Sequence, residues 1–317
     1  MKLGIHAISH VFGEKRCDNE ELAKQHGFDL GFIRGKLGIE ARYVAGENQA
    51  TSDLAIAAAR KVLEKAGVSP AQIGFVGIVT QTPDYQIPHT AGIVQNALGL
   101  PQETAAFDIS LGCSGFVYGL SIATAFMESA GIDNGLLITA DAYSKVIDPA
   151  DRATSPLFSD AAAATLISKR AVYLPGKASF GSDGSGADKL MIPCGGSRKP
   201  KSNSPLFMDG REIFNFMMTR IPADVKKCLT LNGKSAEDVD RFVFHQASFF
   251  MLDSLRTRIG LPKEKMVYAL RDCGNTVASS IPIALEGVLE EWPKTVLISG
   301  FGVGLSWATN LLIRTEQ

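Results

Sequence analysis

Residues 67–80 read GVSPAQIGFVGIVT, and residues 233–246 read GKSAEDVDRFVFHQ. Each stretch opens with a glycine at a point where a preceding helix would stop, and continues through a short polar turn. Each then enters a run of apolar and β-branched residues that is typical of a buried strand. The two stretches are therefore interpreted as one helix–turn–strand unit that occurs twice in the chain.

The repeat extends to both sides of these stretches. Amphipathic segments, Asp53–Ala66 and Arg211–Asn232, precede the two glycines. Downstream, AFDIS is followed by the helix-like segment Ser114–Ala130 and the strand-like GLLITADA. In the second half VYALRD, Ala278–Glu291 and TVLISGFG follow in the same order. AAAATLIS at 161–168 then matches SWATNLLI at 306–313, so the matched segments follow one another in the same order in both halves.

Short apolar strands that alternate with helices predict an α/β fold whose sheets are covered on both faces. The duplication predicts two similar halves about a pseudo-twofold axis, with the division near residue 170. The segment Tyr173–Met208 is rich in Gly, Ser, Lys and Pro. We expect it to be an irregular excursion outside the packed repeat.

Composition excludes several classes of protein. The chain has 317 residues, of which 45% are apolar and 21% charged, so it is neither disordered nor fibrous. A net charge of −1 does not indicate a nucleic-acid-binding face. Five cysteines without a C-x-x-C pair fit neither a disulfide framework nor a zinc ribbon. No run approaches the ~20 apolar residues of a membrane span, and the N-terminus has no leader pattern, so we expect a cytoplasmic protein.

Cys113 is the first candidate for chemistry, within DISLGCSGFVYGL at 108–120. A strand is expected to end at Ile109 and a helix to begin near Ser114, which places the thiol at a helix N-terminus. That position is expected to lower the thiol pKa towards neutrality. The flanking Gly112 and Gly115 are expected to keep side chains away from an incoming substrate.

His245 and Asn275 are the second and third candidates. His245 follows the buried strand of the second repeat, where functional groups of α/β sheets gather. Asn275, in RDCGNTVASS, occupies the second-half position that corresponds to Cys113. Taken singly, such residues are more often a buried small hydrophobe, a core histidine and a turn or cap residue. The repeat gives them a reason to converge as a nucleophile with nitrogen-bearing partners.

With these residues in view, the chain resembles the β-ketoacyl-[acyl-carrier-protein] synthase III family nearly end to end. The motifs that carry the resemblance are FIRGKLGIEAR, DIS-x-x-C-S-G-F, DPADR, MDGREIF, HQA, GNTVASS and G-x-G-L-S-W. The resemblance implies the thiolase fold, an αβαβα stack of two halves, here residues 1–170 with the cysteine and 171–317 with the histidine and asparagine. It also implies a homodimer.

The implied reaction is a decarboxylative condensation in two stages. Cys113 would take an acyl group from acyl-CoA, and malonyl on acyl carrier protein would then lose carbon dioxide and attack the acyl-Cys113. His245 and Asn275 would stabilise the enolate-like charge, and the backbone N–H groups of Cys113 and Val303 would form the oxyanion hole. Coenzyme A thioesters are substrates in this reaction, and neither a cofactor nor a metal is expected.

The resemblance also carries over the residues that bind the substrate. Those expected to contact coenzyme A are Phe32, Lys36, Arg152 and Arg211. Those expected to line the acyl pocket are Ile87 (from the partner subunit), Tyr143, Phe158, Leu190, Leu206 and Met208. For each apolar residue, an ordinary place in the core is the alternative.

Several positions depart from the family pattern. The terminal triple glycine is Gly302-Val303-Gly304, and the usual H-Q-A-N-x-R is HQASFF, so that Phe250 replaces an arginine that helps to dock carrier protein. Arg256 and Arg258 could compensate. The usual GDGAGA is SDAAAA at 159–164. These departures indicate a divergent member.

Three other functions remain open from the sequence. The acyl-Cys113 could pass its acyl group to an alcohol, amine or β-keto acid in a specialised pathway. The chain could be a non-catalytic partner subunit, against which the complete Cys/His/Asn set argues. It could also be a Cys/His thioesterase. Acyl chain length cannot be read from the sequence.

Overall fold

The computed structural model describes residues 2–201 and 204–316 of the chain. The strands are β1 Gly4–Phe12, β2 Lys15–Asp18, β3 Ala41–Val44, β4 Phe75–Val79, β5 Ala105–Ile109, β6 Asn134–Asp141, β7 Ala161–Ser168, β8 Tyr173–Pro175, β9 Ser179–Ser182, β10 Leu190–Met191, β11 Phe207–Met208, β12 Arg241–Phe244, β13 Thr295–Gly302 and β14 Ser306–Arg314. The helices are α1 Asn19–His26, α2 Leu30–Phe32, α3 Thr51–Ala66, α4 Thr90–Ala97, α5 Gly115–Ala130, α6 Gly210–Leu231, α7 Phe249–Ile259 and α8 Ser280–Glu290. A π-helical turn, Ile33–Leu37, continues α2.

The predicted repeat is visible in how the strands pair. In the first half β4 runs parallel to both β5 and β6, β6 is antiparallel to β7, and β7 is antiparallel to β1. In the second half β12 is parallel to β13, β13 is antiparallel to β14, and β14 is antiparallel to β9. The position of β5 is taken there by a single parallel bridge between Phe242 and Met266.

The segment Tyr173–Met208 contributes more to the fold than its composition indicates, so the expectation of an irregular excursion was wrong. It supplies β9, which pairs with β14 as β1 pairs with β7. It also supplies β8, which lies between β14 and β1 and joins the strands of the two halves into one ten-stranded sheet. A strand this short is defined by its partner strand, and its own sequence carries little signal.

The helices complete the layered α/β arrangement. α5 packs against β4, β6, β13 and β14, and α8 packs against β1, β7, β12 and β13, so these two helices lie between the strands of the halves. α3 and α4 cover the outer face of the first half, and α6 and α7 that of the second. Three buried clusters fill the spaces between layers. The division into units 1–170 and 171–317 stays a prediction.

Gly67 and Gly233, which begin the repeated sequence unit, have the same backbone conformation. Gly67 follows α3 and Gly233 follows α6, and both have φ of 62°, in the left-handed region that ends a helix. The carboxyl ends of β4 and β12 are followed by Thr80 and His245 respectively. The repeat therefore delivers His245 to a sheet edge.

Candidate active site

The three predicted catalytic side chains line one pocket. Cys113, His245 and Asn275 all face a cavity of about 360 Å³ whose remaining wall is almost wholly apolar. They come from the turn before α5, the end of β12 and the turn before α8. All three are buried, with Cys113 only 6% exposed.

Close backbone packing seats Cys113 in its turn. A Cβ atom at Gly302 would lie 3.0 Å from the Cys113 sulfur, and one at Gly300 would lie 2.5 Å from the Cys113 carbonyl oxygen. The end of β13 therefore leaves room for the thiol only because it lacks side chains there. Gly112 and Gly115 have another role than expected: their Cα atoms face Gln81 and Val79 respectively, so they permit packing and do not clear a path for substrate.

The expected low pKa of Cys113 was wrong. Burial, and to a smaller extent the nearby Asp141 carboxylate, raise the pKa of the thiol to about 12. A helix N-terminus contributes about 0.3–1 kcal/mol, which is less than the cost of placing a thiolate in an apolar pocket. Cys113 is therefore a thiol in the free protein at neutral pH.

Asp141 ends β6 directly behind the nucleophile. Its carboxylate accepts hydrogen bonds from the Gln81 backbone N–H at 2.8 Å and from the hydroxyls of Thr80 and Thr82, each at 3.3 Å. Burial nevertheless raises the pKa of Asp141 to about 7. This carboxylate therefore holds the loop after β4 at the end of β6.

His245 is neutral, because burial lowers its pKa to about 3. Its Nδ1 lies 2.7 Å from Ser280 Oγ, which also accepts from the Gln246 backbone N–H at 3.3 Å. The tautomer with its proton on Nε2 fits this contact, because Ser280 Oγ can then donate its proton to Nδ1. Phe301 packs edge-on against the ring at 5.7 Å.

Asn275 presents a second donor beside the first. Its Oδ1 accepts from the Val277 backbone N–H at 2.9 Å, which fixes the orientation of the amide. Its Nδ2 then lies 3.4 Å from His245 Nε2 and 3.5 Å from the Ala247 carbonyl oxygen. Two N–H groups side by side form a site for one acceptor oxygen.

Ser306 connects the loop that contains Val303 to the turn that contains Cys113. Ser306 Oγ donates to the Val303 carbonyl oxygen at 2.7 Å and lies 2.8 Å from Ser114 Oγ, beside Cys113. A Cβ atom at Gly112 would lie 2.8 Å from Val303 Cγ1, so the two loops are in direct contact. This contact brings Val303 next to the residue that precedes Cys113.

Of the four residues expected to contact coenzyme A, two line the pocket and two lie on the surface beside its mouth. Phe32 and Lys36 line the pocket, whereas Arg152 and Arg211 are exposed beside it. The Lys36 ammonium lies 3.9 Å from the centre of the Phe250 ring, a cation–π contact at the entrance.

The arginines proposed to replace the missing docking arginine lie on α7. Arg256 is tied to Asp253 at 2.8 Å and to the Leu261 carbonyl oxygen at 3.3 Å. Phe250 itself lines the pocket and stacks on Phe214 at 5.5 Å. An aromatic surface therefore occupies the position where the family pattern has a cation.

Only some of the residues expected in the acyl pocket line the cavity. Phe158, Leu190 and Met208 line the cavity, whereas Tyr143 and Leu206 are buried but are not part of its lining. Ile87 is 86% exposed and lies outside the cavity.

Sequence reasoning missed Gln81, Ser280 and Gly302 as site residues. Ser280 stands at the start of α8, where a serine is ordinarily a cap residue. Its contact with His245 joins residues 35 positions apart. Only the glycine-rich terminal motif gave a signal that pointed to Gly302.

Over residues 2–201 and 204–316, no group of three or more His, Cys, Asp or Glu side chains is arranged to hold a metal ion. In the same part of the chain, no helix combines the length and apolar character needed to cross a membrane.

The chain is similar to known proteins over nearly its whole length. The family models described as "3-Oxoacyl-[acyl-carrier-protein (ACP)] synthase III" and its C-terminal part match residues 107–184 and 229–313. The β-ketoacyl-[acyl-carrier-protein] synthase III of Caldanaerobacter subterraneus subsp. tengcongensis is 36% identical, over 98% of this chain and 97% of its own. That of Natranaerobius thermophilus is 38% identical, over 93% and 94%.

The fold is shared with solved structures. The crystal structure of the synthase III from Thermus thermophilus has a TM-score of 0.91 and 34% identity, covering 99% of this chain and 100% of that one. These matches confirm the thiolase fold expected from the sequence. On both sequence and structure, the chain belongs to the β-ketoacyl-[acyl-carrier-protein] synthase III family.

Proposed function

We propose that this protein condenses an acyl thioester of coenzyme A with malonyl-acyl carrier protein, giving β-ketoacyl-acyl carrier protein, coenzyme A and carbon dioxide. The observation that supports this most is that a buried thiol, an imidazole and a side-chain amide line one apolar cavity. Cys113, His245 and Asn275 are the proposed catalytic residues.

In the first stage the Cys113 sulfur attacks the thioester carbonyl, and the bond from that carbon to the coenzyme A sulfur breaks. The Cys113 proton ends on the departing coenzyme A thiolate, so the exchange needs no external acid or base overall. The backbone N–H groups of Cys113 and Val303 are the proposed oxyanion donors. The hydrogen-bond contacts of Ser306 support this role, because they fix the loop that contains Val303 beside Cys113.

In the second stage the malonyl carboxylate leaves as carbon dioxide, and its electron pair passes into the thioester enolate. His245 Nε2–H and Asn275 Nδ2–H donate to the enolate oxygen. The carbanion then attacks the acyl carbon and expels the Cys113 thiolate. Because the pKa of Cys113 is about 12, that thiolate takes up a proton from water and the resting thiol is restored, so the second stage consumes one proton.

Phe32, Lys36, Arg152 and Arg211 are the proposed coenzyme A contacts. Phe32 offers a half-exposed ring on which adenine can stack, and the three cations suit the phosphates. The same positive rim suits an acidic carrier protein.

We propose that two copies associate through the edge formed by β5. This strand ends the sheet and is only half-buried. Phe107 on it packs against Phe126 of α5 at 5.5 Å, and Phe126 and Ile122 remain exposed. An unpaired apolar edge of this kind is normally covered. Ile87, itself exposed, is then free to reach the partner's acyl pocket.

The proposed setting is the cytoplasm, and coenzyme A thioesters serve as substrates. All five cysteines are free, as is usual in a reducing compartment. Each step described uses only side chains and backbone groups of this chain.

The test is a steady-state assay with labelled acetyl-CoA and malonyl-acyl carrier protein. We expect equal amounts of carbon dioxide and β-ketoacyl product from the wild type and none from Cys113→Ala. Phe250 at the mouth favours a second candidate, transfer of the acyl group to a different acceptor. Acylation of Cys113 without malonyl-dependent carbon dioxide release would exclude the condensation and favour that candidate.

A further inference from the structure

Two buried serines from distant parts of the chain meet beside the nucleophile. Ser114 lies between Cys113 and the first residue of α5, and Ser306 is the first residue of β14. Their hydroxyl oxygens lie 2.8 Å apart, and neither residue is more than 4% exposed. Ser306 Oγ also lies 2.7 Å from the Val303 carbonyl oxygen.

The direction of these two hydrogen bonds follows from the protons that are available. A carbonyl oxygen only accepts, so the single hydroxyl proton of Ser306 points to Val303. Ser306 Oγ then accepts from the Ser114 hydroxyl, whose proton is the one left to join the two oxygens. The donors therefore run from Ser114 through Ser306 to the Val303 carbonyl oxygen, and linked hydrogen bonds of this kind strengthen one another.

Val303 is held on both sides. It lies at the tip of the hairpin between β13 and β14, which the pair Gly302 and Ser306 closes. On the amino side, a Cβ atom at Gly302 would lie 3.0 Å from the Cys113 sulfur, so the peptide that carries the Val303 N–H starts against the nucleophile. On the carboxyl side, Ser306 holds the Val303 carbonyl oxygen. The orientation of the Val303 N–H therefore depends on Ser306.

We propose that the Ser114–Ser306 pair positions the Val303 N–H for the acyl oxygen and thereby couples the loss of carbon dioxide to carbon–carbon bond formation. This role rests on the proposed condensation through acyl-Cys113. Attack of the carbanion on the acyl carbon places negative charge on the acyl oxygen, and its rate depends on donors aimed at that oxygen.

Decarboxylation depends on a different oxygen, the enolate oxygen to which His245 and Asn275 are proposed to donate. A misplaced Val303 N–H therefore slows capture of the carbanion without slowing its formation. A carbanion that is not captured takes a proton from water, and acetyl-acyl carrier protein forms in place of the β-ketoacyl product.

The test counts the products of a preformed acyl-enzyme. Protein is acetylated to completion with acetyl-CoA, freed of excess donor and mixed with a limiting amount of malonyl-acyl carrier protein. Carbon dioxide, β-ketoacyl-acyl carrier protein and acetyl-acyl carrier protein are then quantified. Wild type should give equal amounts of β-ketoacyl product and carbon dioxide. In Ser306→Ala we expect the β-ketoacyl product per carbon dioxide to fall about tenfold to hundredfold, the usual effect of misplacing a group in a reaction, with acetyl-acyl carrier protein making up the difference.

Further variants show whether the two serines act in series. Ser114→Ala removes only the outer donor, so we expect a smaller fall than in Ser306→Ala. The double variant Ser114→Ala/Ser306→Ala should be no worse than Ser306→Ala, because Ser114 acts through Ser306. The matched control is Ser299→Ala, which should keep the wild-type ratio. Ser299 is also buried in the same hairpin, but its hydroxyl oxygen lies 2.9 Å from Thr309 Oγ1.

Thermal unfolding and intact-protein mass establish that each variant is folded and acetylated. If Ser306→Ala does not fold, Ser114→Ala compared with Ser299→Ala decides the outcome. Equal amounts of β-ketoacyl product and carbon dioxide in the serine variants would overturn the role of the pair and leave the proposed condensation intact. A double variant whose fall equals the product of the two single falls would also overturn it, since the serines would then act independently. Absence of β-ketoacyl product from the wild type would overturn the condensation itself, and this role with it.

Discussion

Asn275 Nδ2 lies 3.4 Å from His245 Nε2. The Asn275 amide and the His245 imidazole are each held by a different residue at or just before the start of α8. The Val277 backbone N–H holds the Asn275 amide, and Ser280 Oγ holds His245 Nδ1. When both nitrogens carry protons they cannot satisfy one another, so the pair is preorganised for a substrate oxygen. The short turn between Asn275 and α8 therefore sets both donors at once.

Ser280→Ala is predicted to impair the second half-reaction selectively. Without the serine hydroxyl, Nδ1 loses its donor and the imidazole is free to move its proton away from Nε2. We expect condensation to fall about tenfold or more, as for other groups that orient a functional histidine, while acylation of Cys113 stays near wild type.

The control for this prediction is Ser279→Ala. Ser279 is also buried but bonds to Thr139, away from His245. The ¹⁵N resonances of His245, assigned by comparison with His245→Ala, should change in Ser280→Ala and not in Ser279→Ala. An unchanged tautomer in Ser280→Ala would refute the role given to Ser280.

Asn275→Asp and Asn275→Ala are both predicted to abolish most condensation and preserve acylation. Either change removes the Nδ2–H donor, and loss of one such donor lowers the rate by about 10²–10³. Rapid-quench measurement of each half-reaction separates the two effects. Equal loss of both half-reactions in a folded variant would contradict the division of roles.

Gly302→Ala is predicted to slow acylation, because the added Cβ would lie 3.0 Å from the Cys113 sulfur. A displaced nucleophile typically loses about tenfold to hundredfold in rate. Gly287→Ala is the matched control, since a Cβ there meets no atom within 4 Å and the site lies within α8. We expect Gly287→Ala to stabilise the fold by about 0.5–1 kcal/mol with normal acylation. Normal acylation in both variants would show that the thiol tolerates the contact.

Alkylation of Cys113 by iodoacetamide is predicted to rise continuously with pH. Because burial raises the pKa of the thiol to about 12, the thiolate fraction grows about tenfold per pH unit through the neutral and mildly alkaline range. The modified peptide is quantified by mass spectrometry between pH 6 and about pH 9, where the fold is compared by circular dichroism. A plateau below about pH 8 would mean that the helix N-terminus outweighs burial.

Much of this site could be predicted from local sequence. The helix stops at Gly67 and Gly233, the strands that follow them, and the turn before α5 are all encoded within a few residues. Because the halves are related, the sequence also indicated that Cys113, His245 and Asn275 would meet, and they line one cavity.

What could not be predicted depends on contacts between distant segments. The pairing of β9 with β14, the Ser280–His245 contact and the Tyr143–Gln81 bond each join residues far apart in the chain. The thiol pKa was misjudged for the same reason. The helix N-terminus is visible in the sequence, whereas burial by β13 and the cavity wall is visible only in the fold.

In the proposed reaction one acyl group rests on Cys113 between two chemically distinct stages. A pulse of acetyl-CoA, removal of excess donor and a chase with malonyl-acyl carrier protein, followed by intact-protein mass, isolates this intermediate. We expect one acetyl adduct on wild type and none on Cys113→Ala. The chase should discharge the adduct and yield one β-ketoacyl product for each adduct lost. An adduct that survives the chase, or product formed by Cys113→Ala, would show that acyl-Cys113 is not an intermediate of the condensation.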